Sequence, residues 1–149
     1  MIDDQKSAMT HILILEDDPI VAIDLSSLMK SEGYSTSVVA SVPDAVTTLN
    51  NRQVHLVLTD LFIRDADQKN QDGGNTLVHT IRNAHLFNTV PTEIQQIPII
   101  AITGDSNALK NDHILRPAKT LGANLVLTKP IDRQYLLASI RELLTDNPE

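Results

Sequence analysis

Five short apolar runs alternate with helix-like stretches along this chain of 149 residues, and this alternation constrains the fold more than any other feature. The runs span residues 11–15, 34–40, 54–60, 97–103 and 124–129. Three of them are almost continuous in Ile, Leu and Val, which is typical of strands covered on both faces in a parallel sheet. The second run is more polar and is expected at a sheet edge. With right-handed crossovers, the alternation predicts a doubly wound α/β sheet.

Capping signals mark the beginnings of three helices. Asp18 stands before a proline, Ser41 before the second apolar stripe and Asp132 before the last helix. Such side chains accept hydrogen bonds from the N–H groups of the first turn. A further helix over residues 106–121 contains Pro117 and is expected to be kinked or split. The predicted core-facing helical residues are Val21, Leu25, Leu28, Met29, Ala45, Val46, Leu49, Leu77, Val78, Ile81, Leu136, Ile140 and Leu143.

Composition limits the classes of function. The length predicts one domain over residues 10–146, preceded by a flexible tail at residues 1–9. The absence of Cys excludes disulfides, thiolate metal sites and cysteine nucleophiles. A net charge of −7, with two Tyr, two Phe and no Trp, disfavours nucleic-acid binding by this chain alone. No secretory signal or membrane-length apolar run is present in the sequence, so we expect a cytoplasmic protein without membrane partners.

Polar side chains stand at the ends of four of the five predicted strands. Glu16 and Asp17 follow the first strand, Asp60 ends the third, Thr103 ends the fourth and Lys129 follows the fifth. Sites in open α/β sheets form beyond the carboxyl ends of the strands, so these side chains are expected to share one cleft. Crowded carboxylates repel each other unless a cation neutralises them, and oxygen ligands favour Mg²⁺. A carboxylate beside Mg²⁺, a lysine and a hydroxyl is suited to accepting a phosphoryl group.

The segments LEDD, LTD, AIT and TKP, each at the end of its own strand, resemble the receiver domain of bacterial two-component response regulators, of the chemotaxis-regulator kind. The resemblance covers roughly residues 10–145. It implies a flavodoxin-like receiver fold, in which a five-stranded parallel sheet has the strand order 2-1-3-4-5. It also implies that Asp60 is the phosphoacceptor, that Thr103 hydrogen-bonds the phosphoryl group, and that Lys129 pairs with it and precedes a cis proline.

The resemblance further implies a magnesium cofactor and a set of partners. The implied Mg²⁺ ligands are Asp17, Asp60, Glu16 (directly or through water) and the backbone carbonyl of Phe62. The implied phosphodonor is a sensor histidine kinase or a histidine phosphotransfer protein. Output is expected through contact with an unknown downstream protein, and receivers also form homodimers. The implied chemistry is limited to phosphorylation and dephosphorylation of the chain itself, and a bulky Phe62 near the expected path of the attacking water predicts slow dephosphorylation.

Three departures from the receiver pattern leave an alternative open. Val126 stands three residues before Lys129, where the family usually has Tyr or Phe as a switch residue. The loop over residues 60–72 is longer than usual and lacks its proline, and the region over residues 103–122 is also enlarged. The alternative hypothesis is a protein-binding module of receiver fold that does not use phosphorylation.

An enzyme or a flavoprotein on the same fold is disfavoured. Acidic residues follow the first strand, where a flavodoxin needs a phosphate loop rich in hydroxyls and glycine. No G-x-G-x-x-G motif follows a strand, which argues against dinucleotide binding. A phosphatase of the haloacid-dehalogenase kind needs two Asp residues at a spacing of two in the first loop, and Glu16 and Asp18 fit that spacing poorly.

Overall fold

Strands and helices alternate as the apolar pattern predicts. The computed structural model describes residues 9–61, 73–104 and 122–146. Phe62, the rest of the long loop up to residue 72 and the predicted helix with Pro117 lie outside the described residues. The elements are β1 His11–Leu15, α1 Pro19–Ser31, β2 Ser35–Val39, α2 Val42–Asn51, β3 Leu56–Asp60, α3 Gly73–Arg82, α4 Ala84–Phe87, a 3-10 turn Thr92–Ile94, β4 Ile99–Thr103, β5 Leu125–Thr128 and α5 Arg133–Asp146.

The five strands form one parallel sheet in the order β2-β1-β3-β4-β5. This confirms the predicted fold class and strand order. Every residue of β1, β3 and β4 is buried, because helices cover both faces of the sheet centre. The residues of β2 are at least partly exposed, which confirms the edge position that its polar sequence predicts. In the part of the chain that the structure describes, no helix combines the length and apolar character needed to cross a membrane.

Two apolar clusters, one on each face of the sheet, form the core. Helices α2 and α3 contribute Ala45, Leu49, Leu77 and Ile81 to one cluster, where they pack with alternate strand residues. Helices α1 and α5 complete the other cluster with Leu25, Met29, Leu136 and Ile140. All the core-facing helical residues predicted from periodicity lie in one of these clusters or pack against it. Full burial of each large side chain contributes about 1.5–3 kcal/mol.

The three predicted helix caps are confirmed. Backbone N–H groups of the first turns donate to the side chains of Asp18 at 2.9 Å, Ser41 at 3.2 Å and Asp132 at 3.1 Å. Each cap satisfies donors that the helix itself leaves unpaired and contributes about 1 kcal/mol. Because Asp18 caps α1, the chain turns sharply after β1, and this turn determines where the two preceding acidic residues lie.

The connection between α3 and β4 contains two short elements that the sequence does not reveal. Helix α4 has four residues and the 3-10 turn has three, which is too short for a periodic apolar pattern. Asn88 ends α4 in the left-handed conformation, with φ at 57°. Arg82 at the end of α3 donates to the backbone carbonyl of Gln95 at 2.9 Å and so ties the connection to the helix.

A buried histidine joins the edge strand to the sheet. The ring of His11 is hydrogen-bonded to Ser35 Oγ at 2.6 Å through Nδ1 and to Ser37 Oγ at 2.7 Å through Nε2. Its backbone N–H donates to His55 Nδ1 at 2.9 Å. The pKa of His11 is lowered to about 4, mainly by burial and in smaller measure by the nearby charges of Arg52 and His55. The folded protein therefore holds this ring neutral.

Acidification is expected to destabilise the fold through His11. Between its folded pKa of about 4 and its ordinary value of 6.5, the unfolded chain binds more protons than the folded chain. The contribution of His11 is therefore complete above pH 6.5, falls as the pH drops through this window, and is lost near pH 4, an effect of about 3 kcal/mol. Urea unfolding between pH 4 and 8, compared with His11→Gln, isolates this contribution from other titrating groups. Equal pH slopes in the two proteins would contradict the assignment.

Candidate functional site

Residues from three strand ends meet at the carboxyl edge of the sheet. The ammonium of Lys129 donates to Asp60 Oδ2 at 2.9 Å and to Glu16 Oε1 at 3.2 Å. The two carboxylates are almost completely buried, with 7% and 2% of their side chains exposed, whereas a quarter of the lysine side chain is exposed. The lysine is 69 residues from Asp60 and 113 residues from Glu16 in the chain. The parallel sheet is what brings them together.

Three carboxylates form an acidic pocket at this edge. One oxygen from each of Glu16, Asp17 and Asp60 lies within 4.8 Å of the others. The turn after β1 positions the first two, because the Asp18 N–H donates to Glu16 Oε2 at 3.1 Å while the Asp18 side chain caps α1. Oxygen-only donors at this spacing fit a hard divalent cation such as Mg²⁺. These three residues can therefore hold such an ion.

The electrostatics of the acidic pocket favour a cation. The pKa of Glu16 is raised to about 7, mainly by burial and then by the charge of Asp60, while the hydrogen bond from Asp18 and the charge of Lys129 act in the opposite direction. Burial lowers the pKa of Lys129, but its hydrogen bonds and charge interactions with Asp60 and Glu16 outweigh burial and leave that pKa raised. The lysine is thus firmly charged, while the carboxylates still repel each other.

Thr103 ends β4, the strand beside β3, and is completely buried. Its carbonyl accepts from the Lys129 N–H at 2.8 Å, which ties the lysine backbone to the end of β4. The Lys129–Pro130 peptide bond is cis, as the resemblance implies. Val126, at the position of the usual aromatic switch, is partly buried and packs against the cluster formed with α2 and α3. The site residue Phe62 lies outside the described residues, so its carbonyl role stays a prediction.

Sequence reasoning missed one residue that touches the site. Gly74, in the first turn of α3, packs against the backbone of Asp60 so closely that a Cβ atom there would overlap the Asp60 carbonyl oxygen. The signal in the sequence was a pair of adjacent glycines shortly before the apolar stripe of Leu77, Val78 and Ile81, because glycine is a poor helix former.

Comparison with known proteins identifies the family. Residues 12–141 match the model of the response regulator receiver domain. The chain belongs to the response regulator receiver family. This confirms the resemblance carried by the four strand-end segments, and the acidic pocket lies where those segments predict it.

Relatives of this receiver domain are longer regulators. The chain is 30% identical over 134 residues to the TorCAD operon transcriptional regulatory protein TorR of Escherichia coli K12, which covers 90% of this chain and 50% of that protein. It is 26% identical over 136 residues to the sensory transduction protein RegX3 of Mycolicibacterium smegmatis, covering 91% of this chain and 51% of that protein. The receiver domain thus spans about half the length of these curated relatives.

Solved structures share the receiver fold. The signal receiver domain of a histidine kinase from Syntrophus aciditrophicus superposes with a TM-score of 0.76 at 24% identity, covering 94% of this chain and 93% of that one. A second structure is the receiver domain of sensor histidine kinase PA1611 from Pseudomonas aeruginosa PAO1, which has a magnesium ion coordinated in its active site cleft. It superposes with a TM-score of 0.71 at 24% identity, covering 93% of this chain and 99% of that one.

Proposed function

We propose that this receiver domain accepts a phosphoryl group on Asp60 in a two-component phosphorelay. The observation that carries the proposal is that the Lys129 ammonium contacts two buried carboxylates of the acidic pocket, those of Asp60 and Glu16. A nucleophilic carboxylate next to a fixed positive charge is the arrangement that phosphoryl transfer requires, because charge develops on the transferred oxygens. The proposed donor is the phosphohistidine of a sensor histidine kinase or of a histidine phosphotransfer protein.

The proposal includes Mg²⁺ as cofactor. Glu16, Asp17 and Asp60 would hold the ion, and the backbone carbonyl of Phe62 would add a ligand. The fit rests on the donor set, which contains only oxygen atoms and carries more negative charge than Lys129 alone neutralises. When bound, the ion supplies positive charge beside the transferred phosphoryl group. The magnesium ion in the cleft of the related Pseudomonas aeruginosa domain supports this assignment.

The proposed phosphoryl transfer from phosphohistidine to Asp60 is a displacement at phosphorus. A carboxylate oxygen of Asp60 forms the new O–P bond, the P–N bond to the donor imidazole breaks, and the imidazole nitrogen leaves with the electron pair of that bond. Lys129, already 2.9 Å from Asp60, then pairs with the phosphoryl oxygens, and the Thr103 hydroxyl donates to one of them. The aspartyl phosphate is later hydrolysed by water. Slow hydrolysis, attributed to the bulk of Phe62, is part of the proposal, and a Phe62→Asn variant with an equal phosphoryl lifetime would contradict it.

Incubation with acetyl phosphate and Mg²⁺ tests the proposal. Intact mass spectrometry is expected to detect the addition of one phosphoryl group to the wild-type chain. The addition should disappear in Asp60→Asn, because an amide oxygen is a far weaker nucleophile than a carboxylate. Omission of Mg²⁺ should suppress the addition as well. An unmodified wild-type chain, or an Asp60→Asn variant that gains the same mass, would contradict the proposal.

A second candidate function is a phosphorylation-independent protein-binding module. Val126 favours it, because valine has no ring that could move between exposed and buried positions as the usual switch residue does. Retention of the complete acidic pocket and of Lys129 favours the phosphoacceptor instead. The same mass measurement separates the two, since the module gains no phosphoryl group. In either case we propose that output passes to a downstream protein by direct contact, with homodimerisation as one possible form of that contact.

A further inference from the structure

The first turn of α3 lies directly on the backbone of the proposed phosphoacceptor. A Cβ atom built on Gly74 would overlap the carbonyl oxygen of Asp60 and would stand 2.8 Å from Leu61 Cα and 2.9 Å from the Asp60 carbonyl carbon. All three atoms belong to the backbone, and both residues are buried at the sheet centre, with 6% and 1% of their surface exposed. They cannot move aside as the tip of a flexible side chain can.

Gly33, Gly104 and Gly122 differ from Gly74 in this respect. A Cβ on Gly33 would meet nothing within 4 Å, and one on Gly104 would make an ordinary contact of 3.5 Å with Lys129 Cδ. At Gly122 the atoms nearest to such a Cβ belong to the side chain of Arg82. Among Gly33, Gly74, Gly104 and Gly122, a close approach to rigid backbone therefore occurs at Gly74 alone. Alanine would be the better helix former there, so the glycine reflects the contact rather than the helix.

We propose that Gly74 is a positioning residue for phosphoryl transfer. Because Gly74 has no side chain, α3 can pack directly on the Asp60–Leu61 backbone. This packing holds the Asp60 carboxylate 2.9 Å from the Lys129 ammonium and within the acidic pocket. An added methyl group pushes the Asp60 carbonyl away from α3 and misplaces the carboxylate on the same residue. This proposal rests on the proposed function of Asp60.

The opposite end of α3 offers a matched control. Arg82 donates to the carbonyl of Gly122 at 3.0 Å, to the carbonyl of Gln95 at 2.9 Å and to Asn124 Oδ1 at 2.9 Å. Asn124 directly precedes β5, so these contacts lie at the amino edge of the sheet, away from the acidic pocket. Loss of the Arg82 contacts should weaken the attachment of the same helix without moving the Asp60 backbone.

The experiment compares Gly74→Ala with Arg82→Met in the full chain. Urea unfolding measures the stability of each variant, calorimetric titration measures Mg²⁺ affinity, and intact mass spectrometry measures the rate of phosphorylation by acetyl phosphate. In Gly74→Ala we expect roughly 10-fold weaker Mg²⁺ binding and ~100-fold slower phosphorylation, because misplacement by about 1 Å has effects of that size. In Arg82→Met both quantities should stay within about 3-fold of wild type, although its stability falls.

Each outcome has a distinct meaning. Unchanged Mg²⁺ affinity and rate in Gly74→Ala would overturn the proposal, as would equal losses in both variants, which indicate general loosening of α3. A wild-type chain that is never phosphorylated contradicts the proposed function instead. If Gly74→Ala does not fold, amide resonances of the wild-type chain decide the question. The amide resonances of Gly74 and Asn75 should shift on Mg²⁺ addition, with the same midpoint concentration as the amide resonance of Asp60. Unchanged resonances of Gly74 and Asn75 would overturn the proposal.

Discussion

Replacing Lys129 by Met is expected to slow phosphorylation of Asp60 by about two to three orders of magnitude, because the transferred oxygens lose a preorganised positive charge. The Mg²⁺ affinity should increase or stay unchanged. The ammonium contacts two carboxylates of the acidic pocket, Asp60 at 2.9 Å and Glu16 at 3.2 Å. Its removal leaves the carboxylates unneutralised and thus more attractive to a divalent ion.

Initial rates from intact mass spectrometry measure the loss of phosphorylation rate, and calorimetric titration measures the Mg²⁺ affinity. Arg133→Met is the matched control, because Arg133 carries the same charge a few residues away and forms an exposed ion pair with Asp24 at 3.2 Å. Exposed pairs contribute little, so this variant should stay within about 2-fold of wild type. A joint loss of Mg²⁺ affinity and rate in Lys129→Met would mean that the lysine maintains the shape of the pocket instead of taking part in transfer.

Truncation of Leu58 to Ala is expected to lower the free energy of unfolding by about 3 kcal/mol. Leu58 is completely buried in β3, the central strand, and belongs to the cluster between the sheet and helices α1 and α5. Its loss removes apolar contacts and leaves a cavity that the rigid sheet cannot close. In a domain of this size the midpoint of thermal unfolding should fall by roughly 10 °C.

Thermal and urea unfolding of Leu58→Ala measure this effect, and Ile23→Ala provides the contrast. Ile23 is 66% exposed on α1, so its truncation should change the free energy of unfolding by less than about 0.5 kcal/mol. Similar destabilisation by both substitutions would argue against the burial that the fold assigns to them.

Much of the fold follows from local chemistry and could be predicted. The apolar strands, the caps at Asp18, Ser41 and Asp132 and the helix faces each depend on neighbours only a few residues away in the chain. The strand order and the proposed roles of the site residues came from the resemblance of four short segments to receivers. The short helix α4 was missed because four residues carry no periodic signal.

The residue types at the strand ends were therefore enough to place acids, a hydroxyl and a lysine at one edge of a parallel sheet, because that edge is where every strand ends. The distances between them depend on contacts across the whole chain. Lys129 reaches Glu16 only through the packing of β5, β4, β3 and β1, and the fit of Gly74 against Asp60 depends on how α3 settles on the sheet. Burial, which raises the pKa of Glu16 and lowers that of His11, likewise exists only in the folded molecule, since a local sequence does not specify how much water surrounds a side chain.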